Sequence, residues 1–461
     1  MQNNGVLAQA MFPAVHTFRT GLLFDESNPL HQNILKSPLV DLKIASAGCT
    51  QAVFRSIRTS DFVSGLTKLD FADTSQNLVS SSYNELKELV PKLTSLRDLT
   101  IPSAWLPPAI FRRLSEIPAL EILEINTSNQ GTHLSDFGYQ FYFPVNGFLT
   151  LKSLAMPPYS PDARSLLSPR SKNQCLEDLT LDFKYVAFAD APDCLRQISN
   201  SFINLTTLYI RAWMRLANDT LWGSPTAFSI LEPLLSLTKI SGFTFVNEWP
   251  LPLSDSEIGQ IAQAWPELED FDFCPHIMYS KKQTIATSTC LGSFARYCPR
   301  LRTLSLAINV QPLSDKSECS IKNIAFSDRF SRLDVAGSVF PSSDLTNSSS
   351  LTPLAVSIAN LLPNGASFQF LPDEDDDTRR SLNWKKLADL VNGILQERLK
   401  GIRDPQEGVA NVVAKQVDEL EQLLSQLEIH RPSHNSTMES VLCELGASDV
   451  DVDMTVADSA A

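Results

Sequence analysis

Apolar residues recur down most of this chain in one short phase: an apolar residue, two others, a Leu or Ile, one other, then another apolar residue. It reads Leu39/Leu42/Ile44, Leu66/Leu69/Phe71, Leu96/Leu99/Ile101, Leu120/Leu123/Ile125 and Leu151/Leu154/Met156. It continues as Leu176/Leu179/Leu181, Leu205/Leu208/Ile210, Leu268/Phe271/Phe273, Leu301/Leu304/Leu306 and Phe330/Leu333/Val335. The second half of each copy alternates apolar and polar, the period of a strand with one buried face. Stretches between copies, such as Ala109-Ile110-Phe111-Arg112-Arg113-Leu114 and Glu257-Ile258-Gly259-Gln260-Ile261-Ala262, place apolar residues at i, i+3 and i+4. That is a helical period. The pattern predicts strand, loop and amphipathic helix, repeated.

Successive first positions from Leu39 to Leu205 are 27, 30, 24, 31, 25 and 29 residues apart. A fixed-phase LxxLxL at that spacing is the mark of a leucine-rich repeat solenoid, an α/β architecture. Repeats of this length need a full helix outside the strands, which favours a strongly curved, ribonuclease-inhibitor-like horseshoe. Proline supports the phase: Pro118, Pro266 and Pro299 stand two residues before a first repeat position, and Pro13 stands likewise before Val15. A proline there ends the outer helix and turns the chain into the strand. Two places are irregular. Around Leu237/Ile240 the third apolar residue falls at Phe243, which predicts a bulge at Gly242. Ile321/Ile324/Phe326 competes with Phe330 for one register. The Ser-rich stretch 341–353 reads as a loop, Leu354–Leu362 as a helix ended by Pro363, and 366–370 as a last strand.

These readings divide the chain into a solenoid over 1–370, an acidic linker over 371–381 (Asp373 to Asp377), a helical extension over 382–430 and a disordered acidic tail over 431–461. In the extension Leu387, Leu390, Val391, Ile394, Leu395 and Leu399 mark one helix face. Val413, Val417, Leu420, Leu424 and Leu427 mark a short heptad-like seam. Packing against each other or over the last repeat is the expectation for both helices. The array itself is expected to begin almost at Met1.

Composition narrows the function. Of 461 residues 43% are hydrophobic, enough for a continuous core, and the formal net charge is −14. Such a chain repels phosphate backbones and anionic membranes, so neither nucleic acid nor membrane is expected as a partner, and a basic protein surface is. The eight cysteines (49, 175, 194, 274, 290, 298, 319 and 443) show no CxxC pair and read as buried free thiols. With no basic apolar leader and no run of eighteen apolar residues, an intracellular protein of cytoplasm or nucleus is expected. There is no phosphate loop, dinucleotide fingerprint, nucleophile elbow or HExxH. Cys274-Pro275-His276 is the nearest approach to a metal pair, and it has no second pair at ligand spacing. A non-enzymatic protein without catalytic residues, cofactor or metal is therefore expected.

What remains is a surface. Strand residues between the core leucines face the concave side, and they lean acidic: Asp41, Asp70, Asp98, Glu124, Asp178, Asp182, Asp270, Asp272 and Asp334 against Lys43, Lys68, Arg211, Lys239 and Arg332. Trp105, Tyr185, Trp213 and Trp249 follow strands, and Tyr209 lies within one. They could serve as interface anchors or as filling for the loop ridges, with both roles open. The candidate partner-binding residues are Tyr209, Arg211, Trp213, Asp178, Asp182, Asp270 and Asp272.

Three stretches extend the reading: Trp265-Pro266-Glu267-Leu268-Glu269-Asp270-Phe271, Cys298-Pro299-Arg300-Leu301-Arg302-Thr303-Leu304-Ser305-Leu306, and Ala355-Val356-Ser357-Ile358-Ala359-Asn360-Leu361-Leu362-Pro363. Through them the chain resembles fungal, especially basidiomycete, F-box/leucine-rich-repeat-type proteins over roughly residues 12–400. The resemblance implies a substrate-recognition solenoid of a ubiquitin ligase receptor. Its N-terminal F-box would dock a Skp adaptor and through it a cullin. This sequence departs from the family there, since no Leu-Pro-containing F-box stretch precedes the first repeat. Either an upstream module is missing or the protein is an F-box-less relative, and no Skp-docking residue is carried over. Two other readings stand beside it: a regulator of a small GTPase, and a scaffold dimerising through Val413–Leu427.

Overall fold

The computed structural model describes residues 17–20, 38–45, 51–72, 80–126, 147–158, 174–184, 191–213, 227–247, 253–273, 286–309, 324–335, 338, 348–370 and 378–400. Each LxxLxL copy forms one short strand. They are β1 (Thr17–Thr20), β2 (Asp41–Ala45), β3 (Lys68–Ala72), β4 (Asp98–Pro102), β5 (Ile122–Asn126), β6 (Ser153–Pro158) and β7 (Asp178–Lys184). They continue with β8 (Thr207–Trp213), β9 (Gly242–Asn247), β10 (Asp270–Phe273), β11 (Thr303–Leu306), β12 (Arg332–Asp334) and β13 (Ser367–Gln369). All thirteen lie in a single sheet in chain order, and every neighbouring pair is parallel. Parallel neighbours require crossovers, and helices supply several of them. These are α1 (Gln51–Thr59), α2 (Ser80–Leu89), α3 (Pro108–Leu114), α4 (Ala191–Ser201), α5 (Ala227–Leu231), α6 (Asp255–Ala264), α7 (Cys290–Tyr297) and α8 (Ser348–Leu361). After β13 comes α9 (Thr378–Lys400).

The two apolar residues of each strand point to the helical layer. Leu42, Ile44, Leu69, Phe71, Leu208, Ile210, Phe243 and Phe245 are all buried there. The core they build is one continuous cluster from Leu39 to Leu395. Helices are about 10 Å wide while strands stack about 4.8 Å apart, so the helical layer takes the outside of the curve and the sheet the inside.

A second apolar position, three residues before the first leucine, completes the repeat. Leu93, Ile117, Phe148, Phe202, Leu237, Trp265 and Cys298 occupy it, all buried. From here the chain turns into the strand. The carbonyls of Leu93, Phe148, Phe202, Leu237, Trp265 and Cys298 accept from the N–H of the leucine-position residue three further on. The prolines at 118, 266 and 299 are therefore the second residue of a tight turn, a position that needs no N–H and suits their fixed φ.

A backbone ladder below the strands fixes the register. The N–H groups of Thr67 and Lys68 both donate to the Val40 carbonyl, those of Arg97 and Asp98 to Thr67, and so on to Ser331 and Arg332 on Arg302. Ser241 and Gly242 donate together to Thr206 within this ladder. This corrects the expected phase: the repeat is Ile240/Phe243/Phe245, with Leu237 in the turn position and no bulge at Gly242. The register shift lies instead between Met156 and Pro158, where β6 meets β7. Phe330 wins its register, because Arg332 pairs with Thr303; Phe326 is buried outside the sheet, its N–H on the Leu361 carbonyl. Residues 348–353, expected as loop, begin α8, and Pro353 is exposed in its second turn.

The chain closes the solenoid with α9, which buries Trp384, Leu387, Leu390, Val391, Ile394 and Leu395. The helix starts at Thr378, inside the stretch expected as linker. Residues 371–377, the seam Val413–Leu427 and the tail lie outside the described residues, as does everything before Thr17. No helix among the described residues is long and apolar enough to cross a membrane.

Candidate functional site

Because Cβ atoms alternate along a strand, each strand turns its remaining side chains away from the helices. This gives three rows across the sheet. The first runs Asp41, Lys68, Asp98, Ile122, Ser153, Asp178, Thr207, Gly242, Asp270, Thr303, Arg332 and Ser367. The second runs Lys43, Asp70, Thr100, Glu124, Ala155, Thr180, Tyr209, Thr244, Asp272, Ser305, Asp334 and Gln369, beside the first. The third, shorter, contains Asp182, Arg211 and Val246 side by side.

The N-terminal end of this face neutralises itself. Lys43 Nζ lies 2.5 Å from Asp70 Oδ2 across β2 and β3. In the next row Lys68 bonds Asp98 across β3 and β4. The Asp98 hydrogen bond is the largest influence on Lys68, whose pKa is raised despite partial burial, with Asp41 and Asp70 adding to the effect. Asp70 itself is only 9% exposed. Below this end of the sheet, Glu121 bridges Arg97 at 3.2 Å and Lys152 at 3.1 Å.

Toward the C-terminal end the second row closes over. Ser305 and Asp334 are 4% and 6% exposed, so Asp334 is not part of an open acidic surface. Lys239 leaves the concave set as well. It precedes β9, and its Nζ donates to Asn204 Oδ1 at 2.7 Å.

Between these ends the face is open. Glu124, Asp178, Thr207, Arg211 and Asp270 are exposed, while Asp182, Tyr209, Gly242 and Asp272 are half-buried. Over β5 to β10 the three rows carry Glu124, Asp178, Asp182, Asp270 and Asp272 against Arg211. Arg211 bonds within its own strand: Nη2 donates to Tyr209 Oη at 3.2 Å, and the guanidinium sits 5.9 Å from the ring centroid. Asp182 is the in-register neighbour of Arg211 on β7. Asp270 Oδ1 accepts from Thr303 Oγ1 at 2.6 Å. Thus six of the seven expected residues have side chains placed on one stretch of one face, from β7 to β10. Trp213 ends β8 on the same strand.

The other aromatics divide. Trp105 is a core residue, 1% exposed, packed edge-on against Phe54 and Phe71 at 5.7 and 5.2 Å between centroids. Tyr185 and Trp249 lie outside the described residues, and so does Cys274-Pro275-His276. Of the four described cysteines three are buried and Cys175 is exposed. Burial pushes the Cys194 and Cys298 thiols up to about 12.

Nothing in the sequence signals binding at Thr207, which is small and uncharged, and at Gly242 it suggests a bulge and not a place on the open face. The register of the corrected β9 repeat is what places Gly242 between Thr207 and Asp270.

Among the described residues, a single in-order parallel sheet with helices on one side and an uncovered row of strand side chains on the other defines a leucine-rich-repeat solenoid. No protein-family model matches the chain, and no curated protein matches its sequence. Among solved structures it is similar to the leucine-rich repeat-containing protein LegL7 of Legionella pneumophila, at 12% identity over 82% of this chain and 98% of that one, with a TM-score of 0.36. It is also similar to the yeast Rad7 and Elc1 complex, at 12% identity over 76% of this chain and 74% of that one, with a TM-score of 0.38. A third likeness, to a Bacteroides fragilis protein, has 13% identity over 71% and 76% of the two chains and a TM-score of 0.27.

Proposed function

We propose that this chain is a non-enzymatic protein-interaction solenoid, the substrate-recognition part of an F-box-type ubiquitin ligase receptor. Its binding face is the open concave stretch from β7 to β10, and its partner presents a basic surface. Residues 1–370 supply the binding solenoid, and the segment after them supplies its cap. The observation that carries the reading is the distribution of charge over the sheet. The N-terminal strands cancel their own charges, while the middle carries exposed Glu124, Asp178 and Asp270 and half-buried Asp182 and Asp272 against Arg211 and Lys184. Such a field draws in a cationic protein surface and repels nucleic acid. Tyr209, braced by Arg211, is the aromatic anchor.

The ligase assignment is supported by the resemblance of the quoted repeat stretches, and Skp and cullin enter only through an F-box upstream of Met1. Affinity purification from the host, with the coding sequence extended to any upstream exon, tests it. Recovery of a basic partner together with Skp and cullin is the expected outcome. A partner without ligase subunits reduces the reading to a binding solenoid, and no partner at all overturns it.

A further inference from the structure

The first row of outward side chains is open where the second is shielded, and its middle forms a trough. Asp178, Thr207, Gly242 and Asp270 stand on four consecutive strands in direct register. Asp178 and Asp270 are exposed; the two residues between them are small, and Gly242 has no side chain. A Cβ at Gly242 would meet Thr207 Cγ2 at 3.3 Å, so the Thr207 side chain leans against the glycine and is the floor at this point. Tyr209, held by Arg211, walls the trough along the second row. At the β10 end Asp270 Oδ1 accepts from Thr303 Oγ1 of the next strand at 2.6 Å, while Ser305, in register with Asp272, is buried in the covered second row.

The two carboxylates at the ends are three strand spacings apart, about 14 Å along the sheet and less at side-chain tips on the inside of the curve. An extended peptide lying across the strands advances about 3.3 Å per residue, so its residues i and i+4 point the same way about 13 Å apart. A helix would need nine residues to span that distance at 1.5 Å each. Small side chains along the trough floor admit the backbone of the extended form.

We infer that the trough across β7 to β10 binds an extended segment of a basic partner, carrying two lysine or arginine residues four positions apart. One meets Asp178 and the other meets Asp270. This rests on the protein-binding reading above and specifies what that face recognises.

The test uses the full chain and fluorescein-labelled peptides of Ser, Thr and Gly containing two lysines separated by none, three or eight residues, read by fluorescence anisotropy. The expected result is that the three-residue separation binds about tenfold tighter than adjacent lysines. That preference disappears in Asp178→Asn/Asp270→Asn, whose substituted side chains are exposed and whose melting midpoint should match the parent. Thr207→Gln, which fills the floor without altering charge, weakens all three peptides. Equal affinity at every separation, tightest binding at eight, a preference that survives in the double variant, or no saturable binding each overturns the inference. A host partner recovered equally by the parent and by Asp178→Asn/Asp270→Asn also overturns it while leaving the protein-binding reading standing. Recovery of no partner by the parent fails that reading first.

Discussion

Asn392 shows how much one side chain can decide in a repeat protein. The last strand of an open sheet presents unpaired N–H and C=O groups that invite another chain. At β13 the Phe368 N–H donates to Asn392 Oδ1 at 3.0 Å, and Asn392 Nδ2 donates back to the Phe368 carbonyl at 2.9 Å. One amide thus stands in for a fourteenth strand. Asn392→Ala removes both bonds and should lower the unfolding free energy by about 1–3 kcal/mol, measured by urea titration. Glu85 plays a comparable part on the convex side. Burial alone would raise its pKa, but the Arg55 hydrogen bond and the charges of Arg58 and Arg55 outweigh it, and its pKa is lowered from the usual 4.5. Its contribution is therefore complete above pH 4.5 and lost as pH falls through the lowered native value. Glu85→Gln should cost about 1–2 kcal/mol at neutral pH and flatten the acid limb of a stability–pH profile. Maleimide labelling of the native protein, mapped by mass, should modify Cys175 and spare Cys194, Cys290 and Cys298 until denaturant is added. None of these residues announces its role in the sequence. Asn392 reads as a polar position on an amphipathic helix, and the Phe368 backbone reaches it only once α9 has docked.

At the scale of the element, the strands were the most legible feature, because period-2 alternation and the leucine phase reinforce each other at every copy. The β9 repeat shows where that reading slips. Leu237, Ile240, Phe243 and Phe245 offer two overlapping phases, and the backbone ladder through Thr206 selects between them. The aromatic content makes the right choice worthwhile. Phe243 in its correct place stacks on Phe271 at 5.6 Å and contacts Trp265 at 4.9 Å. Phe271 also meets Phe294 of α7 at 5.0 Å, which ties strand to helix. Phe271→Ala should cost about 3–5 kcal/mol by denaturant melt, since four buried rings, Phe243, Trp265, Phe273 and Phe294, lose a partner at once. Helix ends were legible only in part. The start of α6 is a capping box that the repeat pattern does not point to: Glu257 Oε2 accepts from the Ser254 N–H at 2.7 Å, and Ser254 Oγ accepts from the Glu257 N–H at 3.3 Å. The start of α8 at Ser348 carries no such signal, and its serines suggest a loop. Packing against α9 overrides that local preference.

For the whole molecule, the same logic separates what the concave face does from what keeps it available. A solenoid is held by contacts between neighbouring repeats, so each repeat is protected by the next and only the ends are vulnerable. The sequence shows the acidic lean of the strands, but it cannot show that β2 to β4 cancel their charges across strands while β7 to β10 remain open. Lys68 and Asp98 are thirty residues apart and meet only through register. The C-terminal end follows the same rule. There α9 covers the apolar side of α8, and Arg398 Nη1 donates to the Ala359 carbonyl near the end of that helix at 2.6 Å. Truncation after residue 400 keeps this cap and should leave a stable, monodisperse protein. Truncation after residue 370 strips it, exposing the Phe368 edge and the faces of α8 that bury Leu387, Val391 and Ile394. The shorter chain should melt well below the longer one and form concentration-dependent oligomers in light scattering. If the two truncations behave alike, α9 is an appendage and the solenoid closes by other means. If they differ as expected, α9 is what keeps a sheet built for capturing other chains from capturing its own copies.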